Sequence, residues 1–136
     1  MRLRSQTGSS VPGSSSTPRE GPSPEVLDFA ALRRNFDDDW EFLGRLLQKF
    51  EASYPRQVAR IREALLSGDG HAAAEEAHRV AGATSVFFAE AARRTALALE
   101  DVARAGDLAR ASDACETLAA ELDRLVAELR TLATSR

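Results

Sequence analysis

Apolar residues near the C-terminus of this chain recur in steps of three and four without a break. They begin at Leu108 and continue to Leu132. This alternation puts all of them on one face of a long helix, and it is typical of the core of a helical bundle. The complete stripe is Leu108, Ala111, Cys115, Leu118, Leu122, Leu125, Leu129 and Leu132. The C-terminal segment therefore predicts a long helix that starts near Asp107 and needs partner helices.

A second long stripe precedes it and contains a proline. Apolar side chains recur on one helical face from Leu43 onward, and Asp38 and Glu41 have the spacing of an N-terminal capping box. Pro55 lies inside this stripe. We expect it to kink the helix rather than end it, because the apolar pattern continues in phase. The turn sequence SGDG at residues 67–70 then ends the helix.

Three shorter segments also have helical character, at residues 26–36, about 70–87 and about 89–105. The short loops SGDG and AGD force neighbouring helices to run antiparallel. No run of β-branched residues and no Asn-Gly pair indicates a sheet. We therefore predict an all-α fold, an antiparallel up-down four-helix bundle with a short extra N-terminal helix.

The first part of the chain differs in composition from the rest. Residues 1–24 are rich in Ser, Gly and Pro and contain little to bury. This composition predicts a disordered tail that can tether but cannot position anything. Its expected role is to solubilise the chain or to act as a docking peptide, and the helical bundle occupies residues 25–136.

Charge and cysteine content exclude several classes of function. The net charge is -3 and Lys49 is the only lysine, so we expect no nucleic-acid partner. Cys115 is the only cysteine, which excludes an internal disulfide and favours a reducing compartment, and its place in the stripe predicts a buried, unreactive thiol. No apolar run approaches the ~20 residues of a membrane helix, and no signal peptide is visible. We expect a cytoplasmic protein without membrane contact, and a closed bundle favours a monomer.

A histidine and a glycine share one face of the third predicted helix. Gly82 costs about 1 kcal/mol relative to Ala inside a helix, and a position that keeps it usually needs a close approach to the backbone. Residues three, four and seven positions from His78 share its face, and they are His71, Ala74, Glu75, Ala81, Gly82 and Ser85. The core face is formed instead by Ala73, Ala77, Val80, Thr84 and Phe87. We expect His78 to be exposed among small residues, where a partner protein can reach it.

Several kinds of chemistry fit such a histidine. It can be an incidental surface residue. Glu75 and His78 have the Glu-x-x-His spacing of di-iron bundles, but a site made of these two and His71 would be open and weak, so we expect no metal. No Gly-x-Ser-x-Gly elbow indicates a hydrolase, and no Gly-x-x-x-x-Gly-Lys-Ser/Thr loop indicates nucleotide binding. A neutral imidazole is a good nucleophile near neutral pH, so a phosphoryl carrier remains.

The sequence around this histidine is AHRVAGATSVFFA, in which Ala77, His78, Val80 and Gly82 fit a known motif. That motif, Ala-His-x-Leu-Lys-Gly-Ser with a further Gly six residues after the first, belongs to the histidine-containing phosphotransfer (HPt) domains of bacterial and eukaryotic phosphorelays. The long helix with its proline and the last two helices also resemble this family, so the likeness covers about residues 36–132.

The resemblance implies a phosphoryl carrier rather than an enzyme. It implies that His78 accepts a phosphoryl group from a receiver-domain aspartate or from a histidine kinase and passes it to a response regulator. It also implies that the chain needs no cofactor of its own, with Mg²⁺ held by the partner's receiver domain.

Two positions depart from the family motif. Ala81 stands where the family has Lys, and Phe88 stands where it has the second Gly. Arg79 follows His78 in the sequence and so lies about 100° round the helix from it. It is at best a partial substitute for that lysine, and His71 is a further source of positive charge. The ring of Phe88 is expected near the edge of the histidine face, where it would alter docking of a receiver. The predicted docking face comprises His71, Ala74, Glu75, Arg79, Ala81, Gly82, Ser85 and Phe88.

These departures leave an alternative, a degenerate HPt fold that binds a receiver or kinase without phosphotransfer. An unrelated helical adaptor and a metal-binding bundle are two further alternatives.

Overall fold

A computed structural model of the chain describes residues 26–134, and the predicted tail, residues 1–24, lies outside them. Five helices occupy the described part: α1 Phe29–Phe36, α2 Trp40–Leu66, α3 Gly70–Val86, α4 Glu90–Arg104 and α5 Leu108–Thr134. The last four alternate in direction. α2 and α4 each pack against both α3 and α5, which closes the bundle, and α1 packs against α2. The all-α bundle with a short N-terminal helix is confirmed.

Aspartates begin the first three helices. The carboxylates of Asp28, Asp39 and Asp69 each accept a hydrogen bond of 3.0 Å from a backbone N–H in the first turn. The prediction of Asp38 as the cap of α2 is wrong by one residue. Asp38 lies in the α1–α2 turn with a φ of 60° and pairs with Arg33. α2 continues through Pro55, as the unbroken apolar stripe indicates.

The predicted apolar stripe of α5 forms much of the core. From Ala111 to Leu132 every residue of the stripe is buried, and Leu108 is partly buried at the end of the bundle. Cys115 is fully enclosed as a free thiol, and burial raises its pKa. Periodicity alone identified this face because the apolar side chains of a bundle helix must point inward.

Polar pairs seal the outer edge between α2 and α5. Arg62 donates two hydrogen bonds to Glu116, at 2.7 and 2.8 Å, and the Tyr54 hydroxyl donates to Asp123 at 2.6 Å. Desolvation by burial, followed by the hydrogen bond to Asp123, raises the pKa of Tyr54 to about 12. These pairs link the two longest helices across their exposed edge.

The N-terminal helix is tied to the turn between α3 and α4. The backbone N–H of Asp28 donates to the carbonyl oxygen of Phe88 at 3.0 Å. Leu27 and Leu32 are fully buried next to this link. α1 therefore covers the end of the bundle at which α3 and α4 meet.

Candidate functional site

His78 lies in the middle of α3 with 69% of its side chain exposed. Gly82, one turn further along, is also exposed, and a Cβ added there would meet no atom within 4 Å. His71, Glu75 and Ser85 are exposed on the same face, as the helical spacing predicts. The surface beside the imidazole is therefore open and shallow.

Two residues predicted on this face are instead buried. Ala74 is 0% exposed and Ala81 is 5% exposed. Both lie about 40–60° round the helix from His78 in the same direction, whereas Glu75 and Gly82 lie in the other direction. The buried flank is the one that faces α4, since His78 contacts α4. The expectation that Ala74 and Ala81 are exposed beside His78 is wrong, because a step of three or four residues does not reveal which flank a neighbouring helix covers.

Phe88 does not extend the histidine face. α3 ends at Val86, and Phe88 lies in the α3–α4 turn with a φ of 55°, partly buried against the core. This left-handed backbone region favours glycine because a side chain there costs energy. The difference from the family motif at Phe88 is therefore one of backbone strain and packing. The expectation that Phe88 lies along the helix at the edge of the histidine face is wrong, because the helix ends before it.

Arg79 is directed away from α4. Its guanidinium donates to Glu76 at 2.8 Å, and Arg60 of α2 approaches the other oxygen of the same carboxylate at 3.4 Å. Glu76 is only 7% exposed, and the helical spacing did not predict a buried carboxylate at this position. The two arginines compensate this buried charge on the α2 side of the helix.

Glu100 of α4 is the partner that the sequence reasoning missed. Its Oε1 atom lies 3.0 Å from Nδ1 of His78, and its side chain is 15% exposed. Arg104 donates to the other oxygen, Oε2, at 3.1 Å. The hydrogen bond from His78, reinforced by Arg104, lowers the pKa of Glu100 against the opposing effect of burial. The spacing of Glu100 and Arg104 was visible in the sequence, but nothing there placed the pair beside His78.

The ionised carboxylate determines which nitrogen of His78 carries the proton. A carboxylate only accepts hydrogen bonds, so Nδ1 of His78 must be the donor. In the neutral ring Nε2 then carries the lone pair. Since most of the side chain is exposed, the nucleophilic nitrogen is presented to solvent.

His71 has the opposite arrangement. Nη1 of Arg104 lies 3.4 Å from Nδ1 of His71, and a guanidinium can only donate, so this nitrogen is the acceptor. Nε2 of His71 lies 3.2 Å from Oε2 of Glu75 and is then the donor. Both nitrogens of His71 are engaged, which leaves His78 as the histidine of this face with a free nucleophilic nitrogen.

Among residues 26–134, no group of three or more His, Cys, Asp or Glu side chains is placed to hold a metal ion. His71 pairs with Glu75, while His78 turns to Glu100 instead of joining them. Over the same residues, no helix combines the length and apolar character needed to cross a bilayer.

Comparison with known families identifies the family of this chain. The family model described as Hpt domain matches residues 45–128, more than half of the chain. The chain belongs to the Hpt domain family. Hpt domains take part in histidine phosphotransfer in two-component signalling, as carriers that interact with receiver domains and histidine kinases. The matched region contains α3, α4 and hence the whole His78–Glu100–Arg104 cluster of this Hpt domain. No curated protein and no solved structure matches the chain.

Proposed function

We propose that this chain is a cytoplasmic phosphorelay intermediate that carries a phosphoryl group on His78. The group would move between receiver-domain aspartates, or from a histidine kinase to a response regulator. The observation that carries the proposal is the 3.0 Å contact between Nδ1 of His78 and Oε1 of Glu100, because it leaves Nε2 free and exposed. Membership of the Hpt domain family supports the same role.

The proposed step is a substitution at phosphorus. The Nε2 lone pair of His78 forms an N–P bond while the P–O bond to the partner's aspartyl carboxylate breaks, and the electrons of that bond leave with the carboxylate. The ring keeps its Nδ1 proton and gains positive charge, which the Glu100 carboxylate stabilises. Transfer to the next aspartate reverses these bond changes. The partner's receiver domain would supply Mg²⁺ for charge stabilisation, and the chain itself needs no cofactor.

Access for a partner supports the same reading. Gly82 removes any side chain one turn from His78, and Ser85 turns its hydroxyl back to the Gly82 carbonyl at 2.7 Å. Ala74 and Ala81 are buried, so neither side chain projects from the surface between His78 and α4. A receiver domain can therefore bring its aspartate to Nε2 over a surface of small groups.

One observation favours the alternative, a docking module without phosphotransfer. Ala81 stands at the position of the motif lysine and is 5% exposed, so the cation expected on α3 is missing. In that case the histidine face would bind a receiver or kinase, and His78 would act as a contact residue only.

Phosphotransfer from phosphorylated receiver domains tests the proposal. Wild type, His78→Gln and His71→Gln are incubated with each labelled receiver, and protein-bound phosphate is measured before and after acid treatment. We expect acid-labile phosphate on wild type and His71→Gln and none on His78→Gln. Tight binding without transfer to wild type would establish the docking module instead. Phosphate retained on His78→Gln would exclude His78 as the acceptor.

A further inference from the structure

A carboxylate beside the phosphoacceptor creates an electrostatic conflict. Glu100 contacts one nitrogen of the His78 ring, and the incoming phosphoryl group, which is itself anionic, must reach the other. Like charges at this separation repel each other, and the effect is stronger for a group that is mostly buried. A productive site therefore needs a cation that offsets Glu100 while leaving its oxygen available to His78.

None of the candidates on α3 meets this need. Nδ1 of His71 accepts from Arg104, so it carries no proton in this arrangement and the ring adds no charge. Ala81 is uncharged and buried at the position where the motif has lysine. Arg79 is held by Glu76, on the flank of α3 that faces α2. The compensating charge must come from another helix.

Arg104 of α4 is placed to supply it. Its Nη2 and Nε atoms lie 3.1 and 3.4 Å from Oε2 of Glu100, so the guanidinium binds the oxygen that His78 does not use. On its other side, Nη1 reaches His71 at 3.4 Å. These contacts hold the guanidinium between Glu100 and His71 while 44% of the side chain stays exposed.

We infer that Arg104 is a positioning residue for phosphotransfer, which neutralises Glu100 and keeps its Oε1 atom directed at His78. It would thus provide from α4 the charge compensation that Ala81 cannot provide from α3. The inference rests on the proposed function of His78.

Phosphoramidate provides a test that needs no protein partner. In this reaction the P–N bond of phosphoramidate breaks, ammonia leaves, and the new N–P bond forms at Nε2 of His78 while Nδ1 keeps its proton. The rate is followed by phosphorus NMR for wild type, Arg104→Gln, Arg104→Lys and a control, Arg94→Gln. Arg94 is on the same helix, is 68% exposed and pairs only loosely with Glu90, at 3.8 Å.

We expect Arg104→Gln to slow phosphorylation roughly tenfold, the lower end of the range found when residues that orient metal-bound histidines are replaced. Arg104→Lys should restore most of the rate because it keeps the charge, and Arg94→Gln should match wild type. Nitrogen NMR of the His78 ring should show a loss of the Nδ1–H tautomer in Arg104→Gln. A rate and a tautomer equal to those of wild type in folded Arg104→Gln would overturn the inference.

A double-mutant cycle tests whether Arg104 acts through Glu100. In a Glu100→Gln background there is no carboxylate to neutralise, so adding Arg104→Gln should change the rate little. An equal loss in both backgrounds would contradict the inferred role. Failure of wild type to be phosphorylated on His78 by any donor would instead contradict the proposed function, so the two failures are distinguishable.

Discussion

Nδ1 of His78 lies 3.0 Å from Oε1 of Glu100, and this contact joins the middle of α3 to the second half of α4. Because the carboxylate is 15% exposed and is also bound by Arg104, it remains ionised and can only accept. The chemistry of an exposed nitrogen is thus decided by a residue on the adjacent helix.

Replacing this carboxylate should weaken the nucleophile. Glu100→Gln keeps the shape but loses the charge, and its amide can turn either its oxygen or its NH₂ group towards Nδ1. We predict a rate of His78 phosphorylation by phosphoramidate roughly 10–100-fold below wild type, the range found for residues that orient metal-bound histidines. Glu75→Gln, on the same face but paired with His71, serves as the control. Equal rates for Glu100→Gln and wild type would show that the contact has no kinetic role.

The same contact should make stability depend on acidity. The pKa of Glu100 in the folded chain is below its ordinary value of 4.5, mainly because of the hydrogen bond from His78. Near that pH the unfolded state binds more protons, so stability rises with pH. The stabilisation is complete above about pH 5 and is lost as the pH falls through the lowered pKa. Urea unfolding at several pH values should show a steeper acid loss in wild type than in Glu100→Gln, and parallel curves would contradict this.

Tyr54 should titrate late and independently of the histidine site. It is the only tyrosine of the chain, so the absorbance of its phenolate is read without overlap from another tyrosine. Burial and the bond to Asp123 raise its pKa from 10.0 to about 12. The neutral hydroxyl therefore contributes stability below pH 10 that is lost as the pH rises towards 12.

Asp123→Asn removes the charge that opposes this ionisation. We predict a lower midpoint of the phenolate titration in Asp123→Asn than in wild type. Asp113→Asn, at an exposed position of α5, should leave the midpoint unchanged. An identical midpoint for Asp123→Asn and wild type would mean that burial alone raises the pKa.

Two glycines of α3 should respond in opposite directions to alanine. A Cβ at Gly70 would overlap the backbone carbonyl oxygen of Ala103, so we predict that Gly70→Ala lowers the free energy of unfolding by about 1–3 kcal/mol. At Gly82 the space is open, and Gly82→Ala should raise the free energy of unfolding by about 1 kcal/mol because alanine has the higher helix propensity. Thermal and urea unfolding measure both changes. Destabilisation by Gly82→Ala would disprove the openness of this face.

A bulky side chain at Gly82 should slow phosphotransfer from a receiver domain without changing the reactivity of His78 itself. Gly82→Leu places a branched group one turn from His78, where a receiver domain is proposed to approach. We predict slower transfer from a phosphorylated receiver and an unchanged rate with phosphoramidate. Ala120→Leu, at an exposed position of α5, is the matched control. Unchanged receiver transfer in Gly82→Leu would place the docking surface elsewhere.

The helices could be predicted from the sequence because each of them buries one face. The apolar stripe that ends at Leu132 predicted a long helix. The exposure of His78 was predicted because His78 does not belong to the core face of α3. Periodicity assigns residues to faces within a helix. It does not give the axial offset between two helices, and that offset brings Glu100 to His78.

Two residues near His78 differ from the expectation for separate reasons. Ala81 shares the helical spacing of His78, but it falls on the flank that α4 covers. Phe88 was expected along the helical face, but α3 ends at Val86 and Phe88 lies in the turn that follows. The left-handed φ of Phe88 can be recognised only once the turn is known.

The enclosed Cys115 gives the protein a native reporter of its own motions. It is the only thiol in the chain, and its burial keeps it protonated and out of reach of reagents while the core is closed. In excess alkylating reagent, the labelling rate then measures how often the packed helices separate. Comparing the labelling rates of unmodified and phosphorylated protein would show, without any engineered label, whether a charge on the surface of α3 changes how often the core opens.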